Sequence, residues 1–171
     1  METWDAIRAR RNVRDYEDRP IPPDHLDRVL EAGRRTPSSR NQQRWDLVVV
    51  TERDRLERLA QVWRGSGHVA RSAATIGLVA PVTGDERTLR SIHYDLGQLT
   101  MSIMLAAADL GIGSGHGGVR DQDLARDLLD LPDDRELAWL IGLGYPGDRP
   151  LTPIAEPHRR PFDEVVHRGT W

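Results

Sequence analysis

The sequence predicts a single folded unit mixing helices and strands, α/β or α+β, and three observations carry that reading. Helical and strand-like patterns alternate along the chain. One pattern, Asp85 to Leu110, is a long helix that is apolar nearly all the way round from Leu96 onward. At 171 residues the chain is long enough for one real core, and no repeat or low-complexity tract divides it. The expected domain is 1–171, with about 147–171, rich in proline, as an extended C-terminal arm.

The elements follow in order. Residues 2–11 fit a short helix. Pro22-Pro23-Asp24 opens a second, whose Leu26, Val29, Leu30 and Gly33 keep the i, i+3, i+4, i+7 spacing of a buried face. Asp46 to Val50 reads as a strand. Thr51-Glu52-Arg53-Asp54 resembles a capping box that starts a helix through Leu56, Leu59, Ala60 and Trp63. Ala74 to Pro81 is a strand apolar enough to be covered on both faces. The long helix comes next, and a helix apolar on every side must be buried on every side, in a chain this small with a partner's help. Asp121 to Leu129 is a shorter helix, and Glu136 to Gly144 a last strand.

Composition removes several function classes. A net charge of −3, with acidic and basic residues interspersed, gives no electrostatic case for nucleic acid. No cysteine is present, which excludes disulfides, thiolate catalysis and iron–sulfur clusters. No charge-free apolar run approaches about 18 residues and the N-terminus is not signal-like, so a cytoplasmic protein without a membrane partner is expected.

Two segments carry chemistry. Arg10-Arg11-Asn12-Val13-Arg14 places three guanidinium groups within five residues. Their rigid donor forks match phosphate oxygens. Pro37-Ser38-Ser39-Arg40-Asn41-Gln42-Gln43-Arg44-Trp45 is rich in hydroxyl and amide groups and runs into a strand. Together they read as one end of a nucleotide-type cofactor site, one part gripping phosphate and the other a polar ring. All 24 basic residues are arginine, so a cluster of this kind also arises from composition alone, as a solvated face.

Gly111, Gly113, Gly115, Gly117 and Gly118 suggest a loop whose backbone can approach a ligand closely, or simply a helix end and turn. Neither Gly-x-Gly-x-x-Gly match has the context that a dinucleotide fingerprint requires: the one at Gly113 follows a helix, and the one at Gly142 follows a strand but leads into Pro146 and Pro150, which cannot open a crossover helix. The six histidines show no metal-ligand spacing, and only His116, inside the glycine segment, stands where a ligand contact is expected. Ser66 and Ser114 lack the elbow of a serine hydrolase. No catalytic acid, base or nucleophile emerges.

The residues resemble one known family. Arg10-Arg11-Asn12-Val13-Arg14-Asp15-Tyr16 is similar to the opening R-R-S-x-R-x-F/Y of the nitroreductase family of flavoproteins. Glu31 to Trp45 resembles its A-P-S-x-x-N-x-Q-P-W segment, Asp95 to Gly113 its buried central helix, Gly142-Leu143-Gly144-Tyr145-Pro146 its last strand, and Arg159 to Val166 its tail. The resemblance runs in order along nearly the whole chain. Asn12 stands for the usual Ser and Arg44 for the usual Pro, and the stretch from Pro81 to Asp95 is too short for the excursion that covers the flavin in longer relatives.

The resemblance implies an α+β, three-layer fold: a central mixed or antiparallel sheet flanked by helices, in an interlocked homodimer with FMN in two interfacial clefts. By position, Arg10, Arg11 and Asn12 would hold the phosphate and ribityl chain, and Arg14 would approach the pyrimidine side of the ring. Pro37, Ser38, Ser39 and Asn41 would reach the flavin from the other subunit. Gly115, His116, Gly117 and Gly118 would lie against it, Arg159 or Arg160 would complete the phosphate clamp, and Arg35 is a further candidate. The implied activity takes a hydride from NAD(P)H and passes electrons to a nitro, quinone or similar small acceptor. The alternative is a protein that binds or senses flavin with little turnover.

Overall fold

The computed structural model describes all of residues 1–171. Four strands, β1 (Asp46–Val50), β2 (Ala74–Pro81), β3 (Gly113–Gly118) and β4 (Arg135–Gly144), form one sheet in the order β1-β2-β4-β3. Every pairing is antiparallel. The helices are α1 (Thr3–Ala9), α2 (Pro23–Arg34), α3 (Arg53–Leu59), α4 (Glu86–Asp109), α5 (Gln122–Leu129) and the single turn α6 (Phe162–Val165).

Alternation along β2 explains the three layers. Ile76, Leu78 and Ala80 point to one face, into a core shared with Val29 of α2 and with Ile92, Leu96, Leu99 and Ile103 of α4. Val79 points to the other, into a core built with Leu56 and Leu59 of α3 and Ala125 and Leu128 of α5. On β4, Ile141 and Leu143 join the first core while Leu137 and Leu140 join the second. Two residues three apart share a face because Leu78 pairs with Trp139 and Val79 with Leu137, which leaves Ala138 as the extra residue of a bulge.

Helix α4 begins where Asp85 accepts the Thr88 N–H at 2.9 Å, and α5 begins the same way at Asp121. Residues 147–171 form no strand and are mostly exposed, and the Ile154 N–H ties them to the carbonyl of Arg8.

Three local expectations are corrected. The capping box at Thr51 does not form, because the Glu52 carboxylate accepts the N–H of Thr51 and Glu52, not Thr51, is the N-cap residue of α3. That helix stops at Leu59 and passes through a 3-10 turn, since Trp63 is extended and its ring folds over Gly65, where a Cβ would meet it at 2.2 Å. The glycine segment is no loop: residues 113–118 form the edge strand β3, paired along β4. Its glycines serve internal packing, as a Cβ at Gly115 would stand 2.3 Å from the Val13 carbonyl and one at Gly117 2.4 Å from the Ser66 hydroxyl.

Candidate functional site

The chain after α1 runs extended beside β3. Asn12 bridges to Ser114 in parallel fashion, and the Val13 N–H donates to the Ser114 carbonyl at 2.9 Å. The bare α-carbons of Gly113 and Gly115 make room for this approach. Tyr16 locks the segment from behind. Its buried hydroxyl lies 2.8 Å from the Val13 carbonyl and 3.1 Å from that of Gly142, and burial pushes its pKa up.

This arrangement sets Arg10, Asn12 and Arg14 alongside β3. Neither Arg10 nor Arg14 has a carboxylate within ion-pair distance. Both reach His116 electrostatically: burial first, then the charges of Arg14 and Arg10, lower its imidazole below the usual value. Arg11 is engaged differently. Its Nη2 donates to Asp148 Oδ1 at 2.7 Å and to the Arg149 carbonyl at 2.8 Å, pinning the turn after β4 and holding the Asp148 carboxyl below its usual range. Its Nε is buried without a partner.

The two faces of β3 differ. Behind Gly115, buried His68 donates from Nε2 to the Gly115 carbonyl at 2.9 Å, since a carbonyl can only accept. Its Nδ1 has no partner, and desolvation, helped by the nearby Arg14 charge, lowers its pKa. Ser66 donates to the Gly118 carbonyl at 2.7 Å. On the other face His116 meets Trp139 edge-on, with ring centroids 6.2 Å apart. These two rings and His93, Leu96, Gly97 and Thr100 of α4 line a cavity of about 270 Å³.

The segment Pro37–Gln43 is tied elsewhere on α4. The Ser39 N–H lies 3.1 and 3.0 Å from the two oxygens of the buried Asp95 carboxylate, and Ser38 Oγ accepts the Gln43 N–H at 2.9 Å. Arg40, Asn41 and Gln43 all hold positive φ, near 50°, a conformation that side chains seldom adopt and that clusters at binding sites. At about 100° per residue, Asp95 lies roughly 150° round α4 from the stripe His93, Gly97 and Thr100. Ser39 and His116 therefore flank opposite sides of one helix.

The remaining sequence candidates make local contacts. Arg35 pairs with Glu31, whose carboxyl is lowered to about 2 by its bonds to Arg34 and Arg35. Arg160 bonds to Glu164 and Arg159 to the carbonyl of His158, both on the exposed C-terminal segment. Sequence reasoning missed His68, whose partner is 47 residues away, and Asp95. Asp95 did leave a signal, as the acid that opens an otherwise apolar helical run.

The free guanidinium groups of Arg10 and Arg14 beside a half-buried imidazole and a strand edge suit a cofactor with a phosphate and a polar ring. Comparison with known proteins points the same way. The chain matches the nitroreductase family over residues 7–75 and 62–145. It is 30% identical, over all of its length and 88% of the relative's, to a Methanothermobacter thermautotrophicus protein named for NADH dehydrogenase and NAD(P)H nitroreductase activity. It is 26% identical to the FMN reductase [NAD(P)H] of Bacillus subtilis, over 99% of this chain and 74% of that one. An FMN-dependent nitroreductase of Clostridium difficile R20291 shares the fold with a TM-score of 0.84 at 21% identity, over 97% of this chain and 98% of that one. Motifs, fold and full-length similarity agree, and the chain belongs to the nitroreductase family.

Proposed function

We propose that this protein is an FMN-dependent NAD(P)H oxidoreductase that delivers electrons to a nitro, quinone or similar small acceptor. FMN supplies the redox chemistry when bound, taking a hydride from the nicotinamide and passing electrons on. The residues bind, orient and screen. Arg10, Arg11 and Asn12 hold the phosphate and ribityl chain, Arg14 brings positive charge to the ring, and the backbone of Gly115–Gly118 with His116 forms a wall against it. A fixed guanidinium at a site where negative charge grows stabilises that charge most where water is kept out. No side-chain nucleophile is required.

The observation that carries the reading is the opposition of Ser39 and His116 across α4. One chain presents the two on opposite sides of a helix about 10 Å across, and two copies bring them to one cleft. The exposed stripe of α4 suits such a partner. Tyr94 and Met101 are 73% and 44% exposed, and a Cβ at Gly97 between them would meet nothing within 4 Å. We therefore infer a homodimer with FMN at its interface. No helix is long and apolar enough to cross a membrane, and the NAD(P)H dependence proposed here supports the cytoplasm as the location.

The test is absorbance of the purified protein, before and after anaerobic NADPH. A yellow protein that releases FMN on denaturation and bleaches with NADPH supports the proposal. A protein that keeps FMN yet never bleaches is a flavin-binding or flavin-sensing protein instead, and one that takes up no FMN overturns both readings.

A further inference from the structure

A second basic site lies at the start of α4. Between the Ser39–Arg44 segment and the first two turns of that helix is a cavity of about 260 Å³. Its wall carries three guanidinium groups, Arg40, Arg44 and Arg87, and three hydroxyls, Ser39, Thr88 and Ser91, with no apolar side chain and no carboxylate. None of the three arginines forms an ion pair. Asp85, the acid that feels Arg87, points its carboxylate at the Thr88 N–H and stays out of the wall.

We propose that this cavity binds a phosphate monoester, namely the 2′-phosphate by which NADPH differs from NADH. The inference rests on the NAD(P)H oxidoreductase reading above. Three guanidinium forks lining one cavity without an acid select a dianion, because each offers paired donors to phosphate oxygens while the wall carries no carboxylate side chain. The hydroxyls add neutral donors, and the positive end of α4 adds its field. The wall is held before any ligand arrives. Asp95 clamps the Ser39 N–H, Ser38 clamps Gln43, and Arg40 is fixed in a left-handed conformation between them. Ser39 also belongs to the segment proposed to reach the flavin, so the subsite adjoins the place where a nicotinamide must dock. Its lining is separate from Arg10, Arg11 and Asn12, which are assigned to the FMN phosphate and ribityl chain.

The FMN-loaded protein is titrated calorimetrically with adenosine 2′,5′-bisphosphate, 5′-AMP and inorganic phosphate, as native protein and as Arg87→Ala, Arg44→Ala and the remote control Arg55→Ala. The bisphosphate is expected to bind native protein at least about tenfold tighter than 5′-AMP, the scale of one lost charge-assisted bond. Arg87→Ala and Arg44→Ala should erase that difference, and Arg55→Ala should keep it. In steady state the two variants should raise KM for NADPH about tenfold while KM for NADH changes less than twofold. Equal binding of bisphosphate and 5′-AMP, or equal loss for both nucleotides in the variants, overturns the proposal. Inorganic phosphate binding as tightly as the bisphosphate also overturns it, because the occupant is then the free ion. If the protein oxidises neither nucleotide, the oxidoreductase reading fails, and the titration still decides the subsite.

Discussion

Both carboxylate oxygens of Asp95, in the middle of α4, receive the same backbone N–H, that of Ser39, at 3.1 and 3.0 Å. The contact spans 56 residues of sequence and fixes the one segment of the chain that holds three non-glycine residues at positive φ. A buried carboxylate spent on a single loop amide marks a loop whose shape matters.

Removing that acceptor is expected to loosen the loop first and the fold second. Asp95→Ala leaves a part-buried N–H unsatisfied, at a cost of about 1–3 kcal/mol. Asp95→Asn keeps one acceptor oxygen and should lose less. Urea denaturation gives the stability change, and FMN titration should show Asp95→Ala weaker than Asp95→Asn. Identical FMN affinity in native and both variants would mean that the loop does not touch the cofactor.

Arg11 and Asp148 allow a sharper test of the phosphate clamp. Arg11→Ala should weaken FMN binding about tenfold or more, with a smaller loss for riboflavin, which lacks the phosphate. Asp148→Asn should preserve FMN affinity, because it leaves the guanidinium in place. If Arg11 serves only to pin the turn after β4, the two variants will lower affinity alike.

His68 and His116 predict a fall in stability on mild acidification. Both imidazoles are lowered from their ordinary value of 6.5 by burial. Below 6.5 the unfolded chain then binds more protons than the folded one, so stability declines as pH falls from 6.5 through the folded values. The lowered carboxylates Glu31, Glu52, Asp85, Asp109 and Asp148 lose their contribution only as pH falls through and below their ordinary values of 4.5 and 3.8, outside that window. Thermal midpoints between about pH 7.5 and 5 should fall for native protein. They should fall less for His68→Gln, which keeps a donor for Gly115. An unchanged slope in that variant would remove His68 from the account.

The exposed stripe on α4 predicts the assembly. Light scattering at micromolar concentration should give twice the mass of a 19.3 kDa chain. Met101→Glu should shift the population toward monomer and reduce bound FMN with it, since a charge at an apolar interface goes unpaired. A native protein that is monomeric with FMN bound would contradict the dimeric site.

Much of the secondary structure was legible locally. Apolar spacing alone placed β1, β2, α2 and α4 close to their final bounds, because a helix or strand that buries one face must repeat at 3.6 or 2 residues. The doubly buried character of Ala74–Pro81 was also readable, and β2 proved to be an inner strand with a core on each side. The arginine and serine-rich segments were readable as chemistry, since residue type alone announces phosphate and hydrogen-bonding capacity.

What the sequence could not decide was who stands next to whom. The glycines from 113 to 118 suggested a free loop, yet they form a strand because Val13 and Ser66, 102 and 51 residues distant from Gly115 and Gly117, occupy the space their side chains would need. Arg10 and Arg14 were left unpaired, and Arg11 was given to Asp148, by the path of the chain beside β3. Ser39 and His116 were set on opposite sides of α4, and three arginines from two segments were gathered into one cavity. Periodicity reports which face of an element is apolar, and only packing settles which distant residue fills the space beside it.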